Sequence, residues 1–148
     1  MRTAAARWLR LHLGRRGQIL LILGIGKICW GVGFIVTPQQ DPAGLDLLTD
    51  RCSLASWAWL WIVAGAVTAT SAFLRIGRDG WGFMAAIVPP SVWAIAYFSA
   101  VLTGEYARGA FVALWYLTSH VGVIMWASTV PEYSVPPLPR RARKGKAP

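Results

Sequence analysis

The chain has 148 residues and a formal net charge of +9, yet 55% of its residues are hydrophobic and only 14% are charged. A typical soluble domain is about 25% charged. A soluble nucleic-acid binder would not combine that charge with a mean hydropathy of +0.47, and a disordered chain would not be so apolar. What remains is an all-α integral membrane protein with basic flanks.

Residues 1–16 carry Arg2, Arg7, Arg10, Arg15 and Arg16 and no acid, with Trp8, Leu9, Leu11 and Leu13 between them. This reads as a positive flank or a short interfacial helix on anionic headgroups. Residues 18–37 form an apolar run of about 20 residues, enough to span a bilayer. The run is too long for a cleaved signal peptide, holds Lys27 at its centre and lacks a small-residue cleavage end. Residues 38–53 read as a loop. Residues 54–74 are a second span, opened by Trp57, Trp59 and Trp61. A tight loop at 75–80 holds Arg75, Arg78 and Asp79, the last two read as a solvated pair. A third span, 81–102, is interrupted by Pro89 and Pro90. A second tight loop leads to a fourth span at 109–129. The membrane domain thus covers 17–129. The tail, 130–148, is rich in proline and then basic, with Arg140, Arg141, Arg143, Lys144 and Lys146.

Alternating spans sort the charges. Twelve of the 15 Lys and Arg residues fall on the side of the termini and the 75–80 loop, and two, Arg51 and Arg108, on the other. The positive-inside rule then places both termini in the cytoplasm of a bacterial cell, the chain being multi-pass in the inner membrane. Trp57 and Trp61 become outer interfacial anchors, and Trp81 and Trp126 inner ones. Cys29, near mid-membrane, and Cys52, at the outer surface, are too far apart to pair and read as free thiols.

Helices in lipid associate through close fit, so small residues at helical spacing mark contact faces. The first span has Gly24 and Gly31, and also Gly26 and Gly33, seven apart. The second has Gly65 and Ala69, and Ala64, Thr68 and Ala72, four apart. Gly82 with Ala86 and Gly109 with Ala113 repeat the pattern. A compact four-helix bundle follows, and the same faces also suit contact between copies in a homo-oligomer. Trp30 to Phe34 and Trp93 to Tyr97 share an order of Trp, small, apolar, small, aromatic, a faint internal repeat.

Lys27 is the sharpest chemical signal. A lysine at the bilayer centre costs about 2.5–3.5 kcal/mol on insertion scales, and no Asp or Glu lies in any span to pair with it. At about 1.5 Å of rise per residue, Lys27, Pro89, Pro90 and His120 all fall ~12–15 Å from the inner edge. The prolines free the carbonyls of Ala85 and Ala86. These residues, with Ser91, define a candidate polar midplane cluster lining a water-accessible cavity or pore. The alternative has Lys27 snorkelling or resting on Trp30 or Phe34, with His120 bonded to a backbone carbonyl.

Other motifs fail on spacing. Gly26-Lys27 would end a phosphate loop only with Gly at position 21 and Ser or Thr at 28, where Leu21 and Ile28 stand. Gly31 and Gly33 lack the third glycine of a dinucleotide site. Two His and two Cys, unclustered, make no metal centre, and no catalytic set appears at membrane depth. The chain is thus expected to be non-enzymatic, without cofactor or metal. Its partners are expected to be the bilayer and, through the basic termini, anionic headgroups, with no specific nucleic acid.

The Arg-rich start, four spans, Trp-rich second span and Pro/Arg tail resemble small four-helix membrane proteins of actinobacteria and their phages. The absence of Asn and the 12 Arg against 3 Lys fit a GC-rich genome. Some of those proteins look like holins, which accumulate in a membrane and then open it. The resemblance is architectural: holins more often have one to three spans, and no residue role carries over. It implies a membrane-permeabilising protein. A small transporter or channel working through Lys27 and His120, or an accessory membrane protein, are the alternatives.

Overall fold

A computed structural model of the chain describes residues 13–37, 42–74 and 78–131. Among the described residues the chain is all-helical. Its elements are α1 (Arg15–Val36), a short α2 (Asp46–Thr49), α3 (Leu54–Ser71), α4 (Gly80–Leu102) and α5 (Gly109–Thr129). The four longer helices are each long and apolar enough to cross a membrane, and they make this a multi-pass membrane protein. Arg2, Arg7, Arg10, Arg75 and the basic tail lie outside the described residues.

The helices depart from the expected spans at two ends. α1 begins at Arg15, because its first turn runs past the apolar segment to a Gln18 N–H to Gly14 carbonyl bond. α3 stops at Ser71. The next three amides, of Ala72, Phe73 and Leu74, bond three residues back rather than four, tightening the chain out of the helix. Ser53 caps α3, its Oγ accepting from the Ser56 amide at 3.3 Å.

The α1–α3 contact is the closest in the bundle, and glycines make it so. Gly17, Gly24 and Gly31 recur every seven residues along α1, and all face α3. A Cβ on Gly24 would stand 2.6 Å from the Ala69 nitrogen and 2.7 Å from the Gly65 oxygen. One on Gly31 would stand 2.8 Å from the Ala58 oxygen, and one on Gly17 2.8 Å from the Ala72 oxygen. Gly65 answers from α3, 2.7 Å from the Gly24 oxygen. Backbones this close gain dispersion contacts that lipid chains cannot match. Gly26 and Gly33 do not pack: a Cβ on either meets nothing within 4 Å. The two glycine pairs of α1 thus have opposite surroundings.

α4 joins through Gly82, which abuts Ser71, and through Thr68 Oγ1, which donates to the Ala64 carbonyl at 2.7 Å and lies 3.2 Å from the Gly82 carbonyl. Pro89 and Pro90 are fully buried inside an α4 that stays helical across them.

Two apolar clusters fill the bundle. Toward the α2 end lie Phe34, Leu45, Leu48, Leu54, Ala58, Trp61, Trp93 and Tyr116. Trp93 is its hub, stacked on Phe34 at 5.9 Å and edge-on to Trp61 at 5.2 Å and Trp57 at 6.4 Å. Toward the other end lie Leu13, Leu20, Ala72, Phe83, Ala86, Ile124 and Ala127. The Trp30 and Trp93 segments are not in equivalent places: Trp30 is exposed and Trp93 is buried.

That second end is closed by Arg16. Its Nε donates to Asp79 Oδ2 at 2.6 Å, its Nη1 donates to the Ser128 carbonyl, and its guanidinium lies 5.0 Å over the Phe83 ring. One side chain therefore ties the start of α1, the α3–α4 turn and the end of α5. Neither residue behaves as the sequence implied. Asp79 is 5% exposed rather than solvated, and Arg16 turns into the bundle to pair with it rather than toward headgroups. A short link between α3 and α4 puts the carboxylate within reach of α1, which charge counting along the sequence does not reveal.

Candidate functional site

Between the two clusters, at the level of Lys27, the packing opens. A cavity of about 260 Å³ is lined by Ile22, Leu23, Gly26, Lys27 and Trp30 of α1, Trp61 of α3, and Trp115, Tyr116 and His120 of α5. Lys27 is about 18 Å along the helix from Arg15 and about 14 Å from Val36, at 1.5 Å per residue, so it stands near mid-membrane. It is 4% exposed. Its Nζ lies 5.0 Å from the Trp61 ring centroid, a cation–π contact with Trp61 rather than Trp30 or Phe34.

The far wall is built on an irregular stretch of α5. The helix is α over Gly109–Trp115, π-wound over Tyr116–Gly122 and α again over Val123–Thr129. Such segments are rare and cluster at functional sites. His120 lies in this stretch. Its ring is edge-on to Trp115 at 4.8 Å and tilted against Tyr116 at 5.3 Å. Its Nδ1 lies 3.0 Å from Ser119 Oγ, while the Ser119 hydroxyl donates to the Trp115 carbonyl. A hydroxyl has one proton, so Nδ1 donates to Ser119 and Nε2 carries no bond in this network.

The cavity thus brings together Lys27 and His120, two residues the sequence singled out. It does not bring Pro89, Pro90 or Ser91, none of which lines it. The reason is steric. Trp61 and Tyr116 occupy the space toward α4, packing on Trp93 and Tyr97 at 5.2 and 6.1 Å. Trp61 is also no interfacial anchor. It is 3% exposed, and its indole N–H is buried without an acceptor. The signal for this was present in α3: Trp61 precedes Gly65 by four and Thr68 by seven, on the face that packs. Trp57 is half-buried, its Nε1 donating to the Leu48 carbonyl at 2.9 Å. Trp81 and Trp126 are exposed on the flank of the bundle at the Arg16 end. Trp115 and Tyr116 were not picked out, because an aromatic in an apolar span has no polar signature.

A second cavity, about 410 Å³, lies beside the first. It shares Trp30, Trp115 and Tyr116 with it and extends past Gly33 and Phe34 to Thr37 and Leu45, at the α2 end. Gly26 and Gly33 line the first and second respectively, which explains the open space beside both. Toward the opposite end the bundle is sealed by Leu20, Phe83 and Ile124 and by the Arg16–Asp79 pair. The result is two adjacent cavities along the α1–α5 flank, between the α2 end and mid-depth, the inner one lined by an amine and an imidazole.

No family model, curated protein or solved structure matches this chain.

Proposed function

We propose that this protein is a small, non-enzymatic transporter or channel that admits a solute to a mid-membrane chamber floored by Lys27 and His120. The observation that carries the reading is the pair of adjacent cavities with the Arg16 end closed. Ionisable side chains at membrane depth mark solute pathways, and here two of them line the inner cavity. The Arg16 end, with its excess of basic residues, is the cytoplasmic end in this reading, so the cavities lie toward the outer side. The membrane is the bacterial inner membrane, and the basic termini hold the chain to anionic headgroups.

The native thiols test the orientation. Cys52 is exposed near the α2 end and Cys29 on the flank of α1 at membrane depth. A membrane-impermeant maleimide added to intact cells is expected to label Cys52 and to spare Cys29. Labelling of Cys52 only after cell disruption would invert the topology.

A holin-like, permeabilising role is the second reading. It is favoured by the open α1–α5 seam, where Gly26 and Gly33 leave room for a helix of another copy. Induced expression with a membrane-potential dye separates the two. A transporter gives ion- or solute-dependent flux that Lys27→Leu reduces at least tenfold. Abrupt depolarisation indifferent to Lys27→Leu supports permeabilisation. Silence in both defeats both and leaves an accessory role.

A further inference from the structure

Resting on the chamber reading, we infer that the occupant is a lipophilic carboxylate, such as a single-chain fatty acid, with its carboxylate on Lys27 and its tail along the α1–α5 seam. Three observations lead there. First, the chamber holds a buried cation with no anion beside it. Lys27 is nearly buried and makes no hydrogen bond or ion pair among the described residues, its Nζ resting over the Trp61 ring. A buried donor left unmatched costs about 1–3 kcal/mol, more for a charged one. No Asp or Glu lies within α1, α3, α4 or α5 to supply the missing charge. The ligand must bring it.

Second, apart from Tyr116 and His120 the rest of the wall is apolar: Ile22, Leu23, Gly26, Trp30 and Trp115. A small hydrophilic anion would lose its hydration shell to that wall and recover few bonds. A carboxylate with an apolar body gives up its head group's water too, but the body gains apolar burial along that wall in return.

Third, the chamber opens sideways. Its rim residues Ile22, Trp30 and Trp115 are 70%, 53% and 55% exposed on the flank of the bundle. In a bilayer that flank faces lipid chains. At about 260 Å³ the chamber falls below the usual ~300–1,000 Å³ of a drug-sized site. It takes a head group and its first methylenes, and the remaining chain lies in the seam and the lipid.

The test uses the full chain in phosphatidylcholine nanodiscs, with dansyl-labelled undecanoic acid as probe and energy transfer from tryptophan as readout. Saturable binding is expected, with decanoate displacing the probe at least tenfold better than decanol or acetate. Lys27→Met is expected to weaken binding at least tenfold. Gly26→Leu, which fills the chamber from a position with free space, is expected to abolish it while leaving Lys27 in place. Displacement by decanol equal to that by decanoate removes the carboxylate from the proposal. Displacement by acetate equal to that by decanoate removes the tail. Full affinity in Lys27→Met overturns it outright. Flux measured in Gly26→Leu separates this from the underlying reading. Flux lost without probe binding in the wild type sinks the carboxylate alone, and flux retained sinks the chamber as a route.

Discussion

Asp79→Ala is expected to destabilise the bundle by about 3–5 kcal/mol, the cost of removing one partner of a buried ion pair. The pair qualifies as buried, with side chains 17% and 7% exposed for Arg16 and Asp79 at 2.6 Å. The guanidinium keeps its acceptors on α5 and loses the carboxylate, so a charge evolved to be matched is left in a medium that solvates it poorly. The loss falls on three segments together, because the same guanidinium also holds the Ser128 carbonyl. Replacing both partners, Arg16→Leu with Asp79→Leu, is expected to recover most of the stability, since neither charge of the pair is then left unmatched. Unfolding by SDS in mixed micelles, followed by tryptophan fluorescence, measures both. A loss below about 1 kcal/mol for Asp79→Ala is the behaviour of a solvent-screened surface pair and would contradict the closed end.

The glycines of α1 are expected to divide into two classes on substitution by alanine. Gly24→Ala and Gly65→Ala are each expected to cost about 1–3 kcal/mol, because the new methyl meets backbone that must move. Their nearest contacts, 2.6 and 2.7 Å, are with the Ala69 nitrogen and the Gly24 oxygen. The double variant is expected to cost less than the sum, since one helix displacement accommodates both methyls. Gly26→Ala and Gly33→Ala meet no atom within 4 Å. They are expected to be neutral or to gain up to about 1 kcal/mol from helix propensity. The same SDS titration decides. Equal effects at Gly24 and Gly26 would mean that α1 is rotated from the orientation described here.

Which of these glycines pack is not legible in the sequence. Gly24, Gly31, Gly26 and Gly33 form two pairs with the same spacing on the same helix, and nothing in the spacing tells which pair packs. A soluble helix reveals its buried face because water demands a polar one opposite. A helix in lipid has no such demand, since both faces are apolar and association depends on fit alone. The partner helix decides: α3 brings Gly65 and Ala69 opposite Gly24, while α5 stands off from Gly26 and leaves a chamber.

The site divides along the same line. Lys27 and His120 were legible because a polar group in an apolar span is costly and therefore conspicuous. Their common depth followed from residue counting at 1.5 Å per residue. Depth does not supply azimuth, so Pro89, Pro90 and Ser91, at the same level, were grouped with them, although Trp61 and Tyr116 stand between. Trp61 was read as an anchor because aromatic residues near a span's end favour the interface. Its place in register with Gly65 and Thr68 turns it inward instead. The π-wound stretch that carries His120 had no sequence signature.

By itself the sequence determined the class: an all-α chain with four helices long and apolar enough to cross a membrane, and one lysine near the middle of the first. Those are properties of transfer between water and lipid, which composition and run length report directly. Only the tertiary structure decided which faces touch, that Arg16 and Asp79 close one end, and that Lys27 and His120 line one chamber. Those depend on the rotation of each helix about its axis. In a bilayer that rotation is set by the shape of the neighbouring helix, not by the solvent.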